Sequence, residues 1–175
     1  MSHSTLQAIW PGEKHENVRE YRNSHGTAPI VWGEFCVKYL KREQYWWLHN
    51  STGPKGFELW NLWKDKAIPE SHRAVLLFTL DHAYVSKPNY RRFAKDLRAF
   101  LDDTLISANC MNHWPEIAQF FEMDRDYPAV GLWCTSVTSD PYTGPYNEKT
   151  FDYDPFDWSK AFDLYAELDA LKEKA

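Results

Sequence analysis

Asp81 and His82 stand side by side in the run "LLFTLDHAYVSKPNY", and a carboxylate beside an imidazole is a pair that general acid–base catalysis uses. The apolar residues before them predict a buried strand. Because successive side chains of a strand point to opposite faces, Asp81 and His82 cannot act on each other. A catalytic His82 therefore needs a carboxylate from elsewhere in the chain. His49 and His113 are the other candidates, so a histidine-dependent hydrolase or nuclease requires two of these three histidines to meet a carboxylate in one cleft.

Patterns for metal binding and nucleophilic catalysis are sparse. Cys110 and His113 have a Cys-x-x-His spacing, but a structural zinc site needs about four ligands and no second pair accompanies this one. The chain has no Gly-x-Ser-x-Gly elbow, and the loop "STGPKG" lacks the Gly-Lys-Ser/Thr ending of a phosphate-binding loop. We therefore predict no metal and no cofactor.

The charge of the chain is unevenly distributed. The formal net charge is −5, and residues 109–175 hold thirteen acidic side chains against five basic ones. A basic ridge lies on one side of a predicted helix, formed by Lys87, Arg91, Lys95 and Arg98. Such a ridge can contact nucleic-acid phosphates or an acidic protein, or it can be an ordinary solvated face. The overall acidity favours a protein partner over a nucleic acid.

Aromatic residues make up 17% of the sequence, more than one core of this size readily hides. Many lie in the loop "DPYTGPYNEKTFDYDPFDW", where acids alternate with rings. We predict that this loop binds a basic, partly apolar protein surface, with anchors and charges at Tyr142, Tyr146, Phe151, Asp152, Tyr153 and Asp154. The alternative is that residues 138–157 form a lid on the core. A third hypothesis is an aromatic small-molecule pocket near Trp46 and Trp60.

The order of predicted strands and helices indicates an α+β fold, with one domain over residues 1–175. It consists of a mostly antiparallel sheet of four to five strands with two to three helices packed on it. Residues 1–29 are turn-rich and are predicted to be irregular. Strands are predicted at 30–40, 45–50, 57–64, 73–85 and 128–137, and helices at 87–103, at 112–123 and from Asp154–Pro155 onward. For 57–64 the spacing of Trp60 and Trp63 also fits a helix turn, and the aromatic residues favour the strand.

Cysteine usage and hydropathy bear on the compartment. Three cysteines without a close pair suit a reducing compartment. The sequence has neither an apolar signal core nor the roughly 18 apolar residues of a membrane span. We therefore expect a cytoplasmic protein that binds another protein and acts by occlusion; its oligomeric state is not predicted. Small, acidic, aromatic-rich and motif-poor, the chain resembles in general character compact inhibitor, immunity and phage-encoded counter-defence proteins.

Overall fold

The computed structural model describes residues 2–50, 53–104 and 112–173, and a five-stranded sheet lies at the centre of this part of the chain. Its strands are β1 (His3–Trp10), β2 (Lys14–Arg22), β3 (Ala83–Ser86), β4 (Ala129–Trp133) and β7 (Phe162–Asp163). Their order is β2-β1-β4-β3-β7, and every pairing is antiparallel except that of β3 with β7. A separate hairpin joins β5 (Tyr146–Asn147) to β6 (Asp152–Tyr153).

Seven α-helices occur in the described ranges, so the α+β class is confirmed while the helix number exceeds the two to three predicted. They are α1 (Ala28–Lys38), α2 (Trp46–Asn50), α3 (Gly53–Trp60), α4 (Glu70–Phe78), α5 (Tyr90–Asp103), α6 (Trp114–Glu122) and α7 (Leu164–Glu173). The surplus arises because segments predicted as strands are helical.

The strands predicted at 30–40, 45–50 and 57–64 are wrong. These segments form α1, α2, and α3 with the 3-10 turn that follows it. In α1 the buried side chains Ala28, Val31 and Phe35 recur at helical spacing, while Val37 is about half exposed. The aromatic and β-branched residues favour strands only weakly, and packing against neighbouring helices overrides that preference.

The strand predicted at 73–85 is also wrong over most of its length, because α4 occupies Glu70–Phe78. All side chains from His72 to Phe78 are buried, so the helix shows no polar face. A helix that is buried all round cannot be distinguished from a buried strand by periodicity. After a turn in which His82 has a φ of +70°, only Ala83–Ser86 is extended.

His72 on α4 is a buried histidine in a polar chain that joins three helices. Its Nδ1 lies 2.8 Å from the Tyr39 hydroxyl, and its Nε2 lies 3.0 Å from Oδ2 of Asp103, which also accepts from Lys38. Phe35 and Phe100 pack around the ring. Burial and the Lys38 charge lower the pKa of His72, although Asp103 opposes them. The His72 imidazole is therefore neutral in the folded protein near neutral pH.

We expect this histidine to make the protein sensitive to mild acid. Its pKa in the folded state lies below the unfolded value of about 6.5, so its contribution is complete above that pH and is lost as the pH falls through the folded pKa. A His72→Phe variant should lose less stability than the wild type between about pH 6.5 and 5. Urea unfolding at several pH values in this range gives the free energy of unfolding of the wild type and of the variant as a function of pH. If both free energies fall with pH at the same rate, His72 is not the titrating group.

The prediction that residues 1–29 are irregular is wrong, because they contain β1 and β2. Two polar residues of β1 are buried and hydrogen-bonded: Ser4 bonds to Thr27, and Gln7 donates to Asn17. β2 lies at the edge of the sheet and is mostly exposed, so it lacks an apolar pattern. Edge strands commonly carry such polar side chains.

Three of the remaining predicted elements are confirmed, and the last helix begins later than predicted. The predicted helices at 87–103 and 112–123 correspond to α5 and α6, and the strand at 128–137 contains β4. The last helix begins at Leu164 rather than near Asp154, because residues 154–161 contain only a short 3-10 turn.

The two faces of the sheet bury different partners. Leu6, Val85 and Val130 point towards the helices and join the main core. Ile9 and Ala129 point the other way and pack against the segment that follows β4, which we call the cover segment (residues 135–161). Alternation along the strands accounts for this division. The cover segment includes the loop predicted from sequence to bind a partner.

Candidate functional site

Tyr142 attaches the cover segment to the sheet. Its hydroxyl donates to the Ala83 carbonyl at 2.9 Å, and its ring packs against Phe156 and Trp158. The side chain is only 2% exposed, and burial raises the pKa of its hydroxyl well above the usual value. The prediction that Tyr142 contacts a partner is therefore corrected, because a buried ring has no face to offer. In this part the lid alternative describes the loop better.

Asp140 makes a second attachment, which the sequence did not suggest. Its carboxylate accepts from Gln7 Nε2 at 2.6 Å and from the Tyr142 backbone N–H at 2.9 Å, and lies 3.2 Å from His15 Nε2. Burial alone would raise the pKa of Asp140, but the hydrogen bonds from His15 and the Tyr142 amide outweigh it and lower that pKa. The carboxylate is therefore ionised near neutral pH and holds the cover segment on β1 and β2.

Beyond these attachments the chain projects as a small hairpin, which we call the aromatic hairpin (residues 146–153). At its base the Gly144 N–H donates to the Asp154 carbonyl at 3.1 Å, and the Asp154 N–H donates to the Pro145 carbonyl at 2.9 Å. The Asn147 side-chain amide donates to the Asp154 carboxylate at 2.9 Å. These bonds give the hairpin a defined shape although it is separate from the main sheet.

The aromatic hairpin exposes three rings to solvent. Tyr146, Phe151 and Tyr153 are 52%, 82% and 56% exposed. The two tyrosine rings form a cross-strand pair with centroids 5.4 Å apart, which is a stabilising arrangement. Phe151 lies at the turn with a φ of +56°, and its ring packs against no other ring in the described residues. The structure thus brings three of the four predicted aromatic anchors together.

Acidic side chains surround these rings. Asp152 is exposed beside them, while Asp154 is half buried at the base of the hairpin. Residues 144–157, the hairpin and its base, contain four acidic side chains, Glu148, Asp152, Asp154 and Asp157, and one lysine. The projection therefore combines apolar rings with net negative charge, a composition that complements a basic protein surface.

The three candidate catalytic histidines do not share a partner. His82 packs between Tyr142 and Phe156, and burial lowers its pKa. His113 bonds through Nε2 to the Arg22 carbonyl at 2.8 Å and packs on Tyr21, while His49 is exposed at the end of α2. Within the described residues, the requirement that two of them meet a carboxylate in one cleft is not met.

The basic ridge on α5 is partly neutralised. Lys87 pairs with Asp126 at 2.8 Å, and Arg98 makes two bonds to Glu122 at 2.8 and 3.1 Å. Arg91 and Lys95 are exposed and form no ion pair with another described residue. Two of the four positive charges are therefore occupied within the protein, which weakens the ridge as a continuous track for phosphates.

The predicted aromatic pocket is only partly where the sequence placed it. Trp46 packs at the margin of the core, with the Arg42 guanidinium 5.9 Å from its ring centroid. Trp60 does line a cavity, and its neighbour there is Trp32 of α1. The sequence missed Trp32 because it placed that residue in a strand.

No three His, Cys, Asp or Glu side chains among residues 2–50, 53–104 and 112–173 are grouped to hold a metal ion. Cys110 of the Cys110–His113 pair lies outside these ranges. No helix described here has both the length and the apolar character needed to cross a bilayer.

Comparison with known proteins gives no family: no protein-family model, no curated protein and no solved structure matches this chain.

Proposed function

We propose that this protein binds another protein through the aromatic hairpin and acts by covering the surface that it contacts. The observation that carries the proposal is the exposure of Tyr146, Phe151 and Tyr153 on one ordered projection. Exposed tyrosine and phenylalanine rings are costly in water and are typical anchors of protein interfaces. The fold does not need the Phe151 ring, since it packs against no other ring among the described residues.

The charge around the hairpin favours one kind of partner. Four acids and one lysine in residues 144–157 favour a partner whose contact surface is basic. Electrostatic attraction of this type accelerates association and weakens as salt rises. The attachments at Asp140 and Tyr142 support the same role, because they hold the base of the projection to the sheet before any partner arrives. Little ordering is then required on binding, which favours affinity.

Phe151→Asn is the sharpest test of this surface. Asparagine tolerates the left-handed backbone at this position, so the variant removes the ring and leaves the turn unstrained. Affinity capture from the native host with the wild type, followed by a binding titration of the captured partner, gives the reference affinity. We expect Phe151→Asn to weaken that affinity about 30-fold, as loss of an aromatic hot spot of roughly 2 kcal/mol does.

Phe57→Gln is the matched control, since Phe57 is also an exposed ring, 63% exposed, but lies on α3. It should bind as the wild type does, and thermal melting of both variants checks that they are folded. Raising the salt concentration should weaken wild-type binding. The proposal is overturned if Phe151→Asn binds as tightly as the wild type, or if both variants lose affinity equally.

A further inference from the structure

A cavity of about 330 Å³ opens where the end of α4 meets the end of β4, and no residue of the aromatic hairpin lines it. Thr79 and Cys134 are buried and form its floor, while Asp81 and Thr138 are exposed at its rim. This volume is near the lower limit of small-molecule sites. The shape therefore accommodates a compact ligand.

Two indoles form the apolar wall of this cavity. The rings of Trp32 and Trp60 meet edge to face, with centroids 5.3 Å apart. Trp32 is fixed in place by two contacts. Its Nε1 donates to the Thr79 hydroxyl at 2.9 Å, and its ring packs on that of Trp47 with the centroids 5.0 Å apart. A wall that is already ordered loses little entropy when a ligand binds. Tryptophan faces also attract organic cations more strongly than other aromatic side chains do.

The charge at the cavity is negative. Asp81 is the charged side chain that lines it, and no basic group of the described residues forms an ion pair with this carboxylate. The cavity also lies at the C-terminal end of α4, where the helix dipole places partial negative charge. No lysine, arginine or histidine lines it in the described part of the chain. All of these features favour a cation and disfavour an anion.

The floor of the cavity supplies no reactive group. The Cys134 thiol donates to the Thr79 carbonyl at 3.2 Å. Burial, with the nearby Asp81 charge, raises the pKa of this thiol, so it stays protonated and is a poor nucleophile. The Thr79 hydroxyl is occupied as well, since it accepts from Trp32 and donates to the Leu76 carbonyl. The site is therefore suited to binding and not to covalent chemistry.

We propose that this cavity binds a small organic ammonium ion with an apolar body, the ammonium lying at Asp81 and the apolar part against Trp32 and Trp60. This site is independent of the aromatic hairpin. It gives the chain a second, small-molecule function beside protein binding.

Three probes of one shape and different charge test the proposal. They are the phenethylammonium ion, the neutral 2-phenylethanol and the anion 3-phenylpropanoate. Isothermal titration with the full chain should show the ammonium ion binding most tightly, the alcohol about tenfold or more weakly, and the anion not at all. The indole N–H signals of Trp32 and Trp60 should shift in NMR spectra as the ammonium ion is added. Equal affinity for all three probes, or no binding of the ammonium ion, overturns the proposal.

Asp81→Asn is the variant that isolates the charge. It should weaken ammonium binding about tenfold and leave the alcohol unchanged, because only the cation uses the carboxylate. Asp152→Asn is the matched control, an exposed acid on the aromatic hairpin, and should bind both probes as the wild type does. If Asp81→Asn and Asp152→Asn behave alike, the cavity is not the ammonium site. Phe151→Asn should bind the ammonium ion normally, so the two proposals fail separately.

Discussion

Gly131→Ala is expected to lower the free energy of unfolding by about 3 kcal/mol, although alanine is the better residue for an ordinary strand. A Cβ at this position in β4 would lie 2.5 Å from the Tyr142 hydroxyl, 2.7 Å from Ile9 Cδ1 and 3.1 Å from the Ala83 carbonyl oxygen. Relief of backbone entropy favours alanine by at most about 1 kcal/mol. The clash costs more, since moving the hydroxyl breaks its 2.9 Å bond to Ala83 and leaves buried polar atoms unpaired.

A double-mutant cycle with Tyr142→Phe tests this cause. Removing the hydroxyl removes the shortest contact, and the next one is to the terminal methyl group of Ile9. We expect Gly131→Ala to cost about 1 to 2 kcal/mol less in the Tyr142→Phe background than in the wild type, as measured by urea unfolding. An unchanged cost would show that Ile9 and the Ala83 backbone, and not Tyr142, set the penalty. The cycle also tests whether the cover segment is attached where the structure places it.

The parts of the fold that the sequence predicted share one property: their signal is local. In α5 the buried residues Tyr90, Phe93 and Leu97 form a single stripe beside charged positions, so the helical period is visible. In β4 a short apolar run follows Pro128, and it is buried as such a run should be. Neither inference needed knowledge of which other segment packs against the element.

The errors arise where burial comes from distant segments. α4 has no polar face because other elements surround it, so its period is hidden. β1 carries buried Ser4 and Gln7, whose hydrogen-bond partners Cys134 and Asp140 lie 130 and 133 residues away. A polar residue paired in this way has the same appearance in a sequence as one in a loop. Composition therefore indicated an irregular segment where a central strand exists.

The same limit applies to the candidate site. Tyr142, Tyr146 and Tyr153 belong to one loop of uniform composition, and nothing in that composition distinguishes the buried ring from the exposed ones. What separates them is Gly131, which leaves room for the Tyr142 hydroxyl to reach Ala83. The hairpin tyrosines have no such opening and pair with each other instead. The burial of Tyr142 thus depends on a glycine in β4, which the sequence of the loop does not show.

Arg92→Lys is expected to lower the free energy of unfolding by about 2 kcal/mol while keeping the charge. The Arg92 guanidinium on α5 makes two bonds to Asp169 of α7, at 2.8 and 2.9 Å, and one to Glu70 of α4 at 2.7 Å. It also lies 4.0 Å from the ring centroid of Tyr165. A lysine cannot reproduce the planar fork or the stacking, so three helices lose a shared contact.

Arg98→Lys is the matched control because Arg98 also bonds a carboxylate twice, that of Glu122, on the same helix. Its side chain is 43% exposed against 31% for Arg92, and it joins only two elements. Exposed pairs contribute little, so this variant should cost about 0.5 kcal/mol. The Arg92 contacts hold the pKa of Asp169 below its usual range, so their contribution is present above about pH 4 and is lost as the pH falls below it. Urea unfolding at pH 7 and at pH 3 measures both effects. Equal losses for the two variants at pH 7 would mean that α7 is held by its apolar face alone.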